Sequence, residues 1–269
     1  MADQLSPRTE QRKRRRQRRR VALIGFVVVL LIVAAAGAFV ATRDTEQAAP
    51  KPPTTEPQNT EGISATYAAA PLRNAITKGG PVAVYATPDA NAQPAEMLSA
   101  QTEYTLPRSF LVFDQYQDWL HVYLPIRPND ATGWIKASDV TVSTPLEYQV
   151  KVSLADKKLW LLKNGAVQFE EPAAIGTDEN PTPTGTFYYT DPLDLATQPG
   201  TAYGVFAIGL SGHSNTLSEF AGGDGQIAVH GTNDPGSIGT PVSHGCVRVN
   251  NDVIMKLAAL PLGTPVVIT

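Results

Sequence analysis

The sequence has 269 residues, enough for two domains, and a single cysteine, which excludes an internal disulfide. Its formal net charge is −3 at pH 7, but the charge is distributed unevenly. Residues 1–20 carry nine Lys and Arg residues against two acidic ones, so subtracting their +7 leaves −10 for the rest of the chain. Nucleic acid attracts basic surfaces, and we therefore expect no nucleic-acid partner for this acidic part.

The basic segment 1–20 precedes an uncharged stretch at residues 21–42 that is rich in Val, Leu, Ile and Ala. Its length is sufficient for a helix to cross the hydrocarbon core of a bilayer, which is roughly 30 Å thick. Basic residues beside a span stay in the cytoplasm, so the sequence predicts a single-pass anchor with a cytoplasmic N-terminus. A cleaved signal peptide is the alternative, and both interpretations export the C-terminal half.

Residues 43–66 are rich in Pro, Thr and Glu, which predicts a semi-extended linker. Between residues 67 and 145, apolar residues recur in short runs separated by turn-forming residues, a pattern typical of a small β-barrel. The order of these runs, ending at Gly133-Trp134-Ile135-Lys136, resembles a bacterial Src-homology-3-like domain. That resemblance implies binding of cell-wall peptides. A role as a spacer or as a partner of the next domain is an equal alternative.

The last predicted domain, residues 146–269, begins with alternating apolar and polar residues from Tyr148 to Leu154, which indicates a strand with one buried face. Asn164-Gly165 is a pair that favours a type I′ hairpin. A single helix is predicted after Asn250, an N-cap residue that precedes an apolar stripe. Further strands are predicted at 158–163, 166–170, 185–190, 203–210, 226–230 and 265–269. The predicted fold class is therefore mainly β, a β-sandwich with one short helix.

Reactive side chains are concentrated between residues 230 and 246, which include the only cysteine and two of the four histidines. Cysteine attacks as a thiolate, so a neighbouring imidazole or another positively charged group must remove the proton of Cys246 or stabilise the sulfur anion. His230 and His244 are both candidates, and their spacing does not choose between them. Because Gly245 has no Cβ, the amides of Gly245 and Cys246 can approach a bound carbonyl oxygen and form an oxyanion hole.

Two other interpretations of this segment stay open at this point. A lone cysteine in a long chain is often an inert buried residue. His230, His244 and Cys246, together with a water molecule, would also suit a catalytic zinc ion. The sequence has no obvious further ligand and no H-E-x-x-H helix, so we expect neither a metal nor another cofactor.

Two segments, His230-Gly231-Thr232-Asn233 and Ser243-His244-Gly245-Cys246-Val247-Arg248, together resemble the signature of the L,D-transpeptidase catalytic domain. Residues 182–187 and 207–214 resemble further segments of that family in the same order. The resemblance covers residues 146 to 269. It implies that Cys246 is the nucleophile and that His230 is the general base and acid.

The remaining family positions are of three kinds: a carbonyl that orients the base, groups that line the site and hold the oxyanion, and groups that contact the substrate. The orienting carbonyl is that of Gly231. His244 and Gly245 line the site and hold the oxyanion. The residues that contact the substrate are Arg248, Ser243 and His213. Arg248 would either bind a substrate carboxylate or brace the loop. These roles follow from the resemblance and not from the spacing of the residues.

The resemblance implies an acyltransferase that cross-links the stem peptides of peptidoglycan. A thioester on the nucleophile would be the intermediate, and a terminal D-amino acid would be released. The catalytic domain would lie outside the membrane, at the cell wall. A hydrolase of the same peptides and a non-catalytic wall-binding protein are the alternatives, and the sequence makes no prediction of the oligomeric state.

Overall fold

The computed structural model describes residues 71–198, 200–220 and 222–269. The predicted basic tail, membrane anchor and linker lie outside these ranges, as do the first four residues assigned to the barrel. Within the ranges, none of the helices has the length and apolar character that crossing a bilayer requires.

The N-terminal part of the described chain is built from short antiparallel strands. They are β1 (Arg73–Thr77), β2 (Val82–Val84), β3 (Glu96–Leu98), β4 (Ser109–Tyr116), β5 (Trp119–Tyr123), β6 (Thr132–Lys136) and β7 (Val140–Pro145). Five of them pair in the order β6-β5-β4-β1-β7, and β2 pairs with β3. Alternate residues such as Leu120 and Val122 on β5 pack with Phe110 and Ile135. This part of the chain therefore has a hydrophobic core of its own.

The C-terminal part contains the longer strands and the helix α1 (Asn251–Ala258). The strands are β8 (Tyr148–Ser153), β9 (Lys158–Lys163), β10 (Ala166–Pro172), β11 (Ile175–Gly176), β12 (Gly185–Asp194), β13 (Phe206–His213), β14 (Gln226–His230), β15 (Pro241–Ser243), β16 (Val247–Arg248) and β17 (Pro265–Ile268). Eight of them pair in the order β10-β9-β8-β17-β12-β13-β14-β16, and β11 pairs with β15.

Strand β12 connects the two halves of the eight-stranded sheet. Its first residues pair with β17 and its later residues with β13, with a register shift between Tyr189 and Asp191. The two halves enclose one hydrophobic core, to which α1 contributes Val253, Ile254 and Leu257. The predicted mainly β fold with one short helix is thereby confirmed.

The differences from the predicted elements concern short segments. The sequence pattern misses β11, β15 and β16, because two or three residues are too few to show a period. Strand β13 begins at Phe206 rather than at residue 203, since the N–H of Gly204 donates to the carbonyl of Thr201 in a turn. Asn250 lies at the N-cap of α1 as predicted, but its side chain makes no capping hydrogen bond.

A loop between β5 and β6 holds the segment that joins β13 to β14. Arg127 donates hydrogen bonds to the carbonyls of Ser214, Leu217 and Asp224, at 2.5, 3.0 and 2.8 Å. Asn129 exchanges two further hydrogen bonds with the backbone of His213, each 2.8 Å long. The N-terminal part of the described chain thus shapes a segment that borders the candidate site.

Candidate functional site

Strands β14 and β16 bring the two halves of the sequence signature together. They pair in parallel, with Val229 opposite Val247. Both valines are fully buried in the core, so the residues next to them point to the other face of the sheet. The same register places Arg248 opposite His230, and extending it by one residue places Cys246, just before β16, opposite Ala228. His230 and Cys246 therefore share one face of two adjacent strands.

The His230 ring is buried and held in one tautomer. The residue is 2% exposed, and its Nδ1 lies 2.6 Å from the carbonyl oxygen of Gly231. A carbonyl oxygen only accepts hydrogen bonds, so Nδ1 carries the proton and Nε2 of the neutral ring has none. The ring of Tyr203 contacts the imidazole at an interplanar angle of 60°, with the ring centroids 4.8 Å apart. The unprotonated Nε2 is the nitrogen that can accept a proton.

Asn251, which the sequence pattern does not identify as functional, fixes the peptide that orients His230. Its Oδ1 accepts hydrogen bonds from the N–H groups of Thr232 and Val205, at 3.0 and 3.4 Å, and its Nδ2 donates to the Thr232 carbonyl at 3.0 Å. The N–H of Thr232 and the carbonyl of Gly231 belong to one peptide group. A Cβ on Gly231 would lie 2.2 Å from Oδ1 of Asn251, so this close approach requires glycine.

A buried serine hydroxyl shapes the loop that carries the cysteine. Ser243 is 2% exposed, and its Oγ donates to the carbonyl of Cys246 at 2.5 Å. The same oxygen accepts a hydrogen bond from the N–H of Gly245 at 3.1 Å. Gly245 has a φ angle of +117°, in a region that residues other than glycine rarely adopt. This geometry favours a loop-shaping role for Ser243 over the predicted substrate contact.

A cleft of about 400 Å³ borders Cys246. Tyr203 and Phe220 line it, and Phe220 also stacks on the ring of His244, with a centroid distance of 5.1 Å and an interplanar angle of 30°. His244 is exposed, whereas His230 is buried. The two candidate bases therefore occupy different environments, one at the rim of the cleft and one beneath it.

The structure separates the other two residues predicted to contact substrate. Arg248 lies close enough to the reacting groups for its charge to lower the pKa of both His230 and Cys246. The buried Nε of Arg248 has no hydrogen-bond partner among the described residues. His213 lines a second cavity instead of the cleft at Cys246, and its Nε2 lies 2.9 Å from a carboxylate oxygen of Asp224.

Burial favours the neutral form of both reacting groups, His230 and Cys246. The pKa of His230 is lowered to about 4, chiefly by burial and also by the charge of Arg248, while two backbone carbonyls oppose the shift. Burial raises the pKa of the Cys246 thiol, and a backbone amide and Arg248 only partly offset this effect. At neutral pH the proton therefore stays on the sulfur and the imidazole is neutral. The resting thiolate expected from the sequence is not the favoured state.

The lowered pKa of His230 predicts that the acid limb of the pH–rate profile lies at unusually low pH. General-base catalysis needs a neutral His230, and a base with a lowered pKa stays neutral as the pH falls past the ordinary imidazole value of about 6.5. We expect the kcat/KM for acylation of Cys246 to stay level from about pH 7 to about pH 5 and to fall towards the pKa of His230. Circular dichroism at each pH verifies that the protein is folded. A half-maximal rate at the ordinary imidazole pKa would contradict the neutral buried ring.

Metal ligands are not grouped in the described part of the chain. Within it, no set of three His, Cys, Asp or Glu side chains is placed to hold a metal ion. His244 stacks at the exposed rim while Nδ1 of the buried His230 is bonded to a carbonyl. The zinc site considered from the sequence receives no support from this arrangement.

Comparison with known proteins places the same residues in a known family of domains. A family model described as the L,D-transpeptidase catalytic domain, YkuD, matches residues 147–268. The YkuD protein of Bacillus subtilis (strain 168) is 35% identical over 124 residues, which cover 46% of this chain and 66% of that protein. YqjB from the same organism is 30% identical over 136 residues, covering 46% of this chain and 73% of YqjB.

A solved structure of an L,D-transpeptidase from Mycobacterium tuberculosis H37Rv is also similar to this chain. It has a TM-score of 0.38 and 16% identity, and the match covers 66% of this chain and 70% of that one. The chain spans about two thirds of the length of the curated relatives that it matches.

Proposed function

Because the chain belongs to the L,D-transpeptidase catalytic domain family of acyltransferases, we propose that it cross-links peptidoglycan stem peptides through Cys246. The observation that carries this proposal is the placement of Cys246 and His230 on one face of paired strands, with Cys246 at the wall of a cleft. The sulfur can react from the cleft, while the unprotonated Nε2 of the buried imidazole is available to take its proton.

In the first half-reaction, the sulfur of Cys246 attacks the carbonyl carbon of the peptide bond to the terminal D-amino acid. His230 accepts the thiol proton as the C–S bond forms and then gives a proton to the leaving amine. The D-amino acid departs and a thioester remains on the enzyme. Because burial raises the pKa of Cys246 and lowers that of His230, the sulfur keeps its proton in the resting enzyme and gives it to His230 in the course of the acylation.

In the second half-reaction, the amine of another stem peptide attacks the thioester carbonyl. The C–S bond breaks, His230 takes the proton that the amine loses, and the sulfur receives that proton. One amide has then been exchanged for another, and the energy of the original bond is conserved. The exchange therefore needs no ATP, which is not available outside the membrane.

Backbone amides of Gly245 and Cys246 are the proposed donors to the oxyanion in both half-reactions. The N–H of Gly245 is bonded to Ser243 Oγ in this structure, so it would exchange that oxygen for the substrate oxygen. His244, stacked on Phe220, would form the rim over the bound peptide. Arg248 would tune the reacting pair electrostatically and is a candidate partner for a substrate carboxylate.

The proposed placement outside the membrane is supported by the N-terminal sequence. Residues 21–42 would anchor the chain, with residues 1–20 in the cytoplasm and residues 43–66 as a linker to the cell wall. We assign residues 67–145 to a Src-homology-3-like barrel, an assignment supported by a five-stranded sheet with its own core. The hydrogen bonds of Arg127 and Asn129 favour a role of this domain as an intramolecular partner of the catalytic domain.

The proposal is tested by incubating the purified full-length chain with stem tetrapeptides at neutral pH. Mass spectrometry then gives the masses of the products and of the protein. We expect a cross-linked dimer and an acyl adduct on Cys246, the only thiol in the chain. Cys246→Ala should form neither. A trimmed monomer without any dimer would identify the hydrolase instead. Unchanged dimer formation by Cys246→Ala, or an adduct on another residue, would overturn the assignment.

A further inference from the structure

A second cavity lies beside the catalytic cleft, at the contact between the N-terminal sheet and strands β12 to β14. Its volume is about 160 Å³. The N-terminal part of the described chain lines it with the apolar residues Leu98, Pro125 and Ile126 and also with polar and charged ones, among them Glu103 and Arg108. The catalytic domain lines it with polar side chains, among them Asp191 and Asp224. Apolar residues close to carboxylates suit a hydrocarbon chain that ends in a cation.

Asp191 is the most informative residue of this cavity. It is 1% exposed, and its Oδ2 accepts a hydrogen bond from Nε2 of Gln226 at 2.9 Å. Its Oδ1 is buried and has no hydrogen-bond partner among the described residues. A buried carboxylate oxygen without a partner is costly in free energy, so a donor that reached Asp191, from a water molecule or from a ligand, would be bound favourably there.

The neighbouring polar groups extend this acceptor surface. His213, which is 6% exposed, uses its Nε2 to contact the Asp224 carboxylate, while its buried Nδ1 has no partner in the described part of the chain. Arg108 also lines the cavity, but its guanidinium is held by hydrogen bonds to Ser99 and Gln101. Among the described residues Arg108 forms no ion pair with Asp191, whose negative charge is left for a ligand.

The cavity and the cleft at Cys246 share a wall. Glu103, Tyr104, Asp224 and Gln226 line both. The pKa of Tyr104 is raised by burial first and then by the charges of Asp191, Glu103, Asp224 and Cys246. The phenol is therefore within electrostatic reach of both Asp191 and the nucleophile. The shared lining residues make the cavity a direct neighbour of the cleft at Cys246.

We propose that this cavity binds an ammonium group at the end of the side chain of the residue whose carbonyl is attacked by Cys246, with Asp191 as its main partner. The inference rests on the proposed function, because it presumes that a stem peptide is the acyl donor. A lysine-like side chain carries its ammonium roughly 6 Å beyond the backbone, a reach that suits an adjacent cavity. Its methylene groups would contact Leu98 and Ile126, and its ammonium would donate to the free Oδ1 of Asp191.

The first experiment measures binding without catalysis. In the Cys246→Ala protein, dissociation constants are measured by calorimetry for a donor tetrapeptide with a free side-chain ammonium and for the same peptide acetylated on that nitrogen. We expect the ammonium peptide to bind about tenfold tighter or more. Adding Asp191→Asn should bring the two constants together, since Asn keeps an oxygen for Gln226 but loses the charge.

Two further variants show whether a lost preference in Asp191→Asn comes from the missing charge or from a folding defect. Asp224→Asn, at a side chain that is 51% exposed, should reduce the preference by a smaller factor. Glu219→Gln removes one exposed carboxylate that lines neither cavity and should leave the preference intact. Equal binding of both peptides by the protein with an intact Asp191 would overturn the inference.

A parallel measurement on the enzyme with Cys246 separates this inference from the proposed function. If both donors acylate Cys246 with equal kcat/KM, the function stands and the ammonium site is wrong. If neither donor acylates Cys246, the function is wrong, and the calorimetric preference still decides whether the cavity binds an ammonium. If Asp191→Asn raises only the KM of the acceptor amine, the cavity serves the second substrate and the donor assignment is overturned.

Discussion

Replacing His230 by glutamine is expected to lower the rate of Cys246 acylation by about 10³- to 10⁴-fold. An ordinary thiol is mostly protonated at neutral pH and burial raises the pKa of Cys246 further, so attack on a carbonyl requires a base at that moment. The unprotonated Nε2 of His230 is the group that the structure provides, since Nδ1 is bonded to the Gly231 carbonyl. The measurement is the release of the terminal D-amino acid in a single turnover.

The matched control is His244→Gln, which alters the other histidine of the signature. Its ring is exposed and stacks on Phe220, so its loss should disturb the rim of the cleft and reduce the rate by less than about tenfold. Both variants should keep the unfolding transition of the parent protein. A larger loss from His244→Gln than from His230→Gln would transfer the role of base to the rim histidine. The sequence spacing alone left this choice open.

The elements that sequence patterns predict well are those with a local period. Alternation from Tyr148 to Leu154 predicts β8, and the apolar stripe after Asn250 predicts α1, because each pattern extends over a full strand or several helical turns. The pairing of β14 with β16 is different, since β16 has only two residues. No local period reveals that these two residues place Cys246 beside the strand of His230.

The parts of the site that escape the sequence depend on contacts between distant residues. Arg127 reaches the carbonyl of Asp224, which lies 97 positions away, and Asn129 pairs with His213 at a separation of 84. The protonation state of Cys246 likewise depends on burial by the whole fold, which raises the pKa of the thiol and so disfavours the resting thiolate expected from the sequence. The sequence does contain one local sign of the role of Asn251. It follows Asn250 at the start of the helix, where one N-cap residue is sufficient.

Asn251→Ala is expected to lower the free energy of unfolding by about 2–4 kcal/mol. The substitution leaves the N–H and the carbonyl of Thr232, a residue that is 1% exposed, without the side-chain partners they have in the parent protein. It also frees the peptide whose carbonyl orients His230, and a misplaced base is expected to reduce kcat by about 10²-fold. Denaturant unfolding and single-turnover acylation measure the two effects.

Asn250→Ala is the matched control, because the neighbouring side chain makes no capping hydrogen bond and should contribute little to either quantity. Asn251→Asp tests the positioning role directly, since one carboxylate oxygen can still accept from the Thr232 N–H while the donor to the Thr232 carbonyl is lost. NMR shifts of the ring nitrogens should show the Nδ1–H tautomer of His230 retained in Asn251→Asp and mixed with the Nε2–H tautomer in Asn251→Ala. If Asn251→Ala loses stability but keeps this tautomer and its kcat, then the Gly231–Thr232 peptide holds its orientation without Asn251 and the residue has a purely structural role.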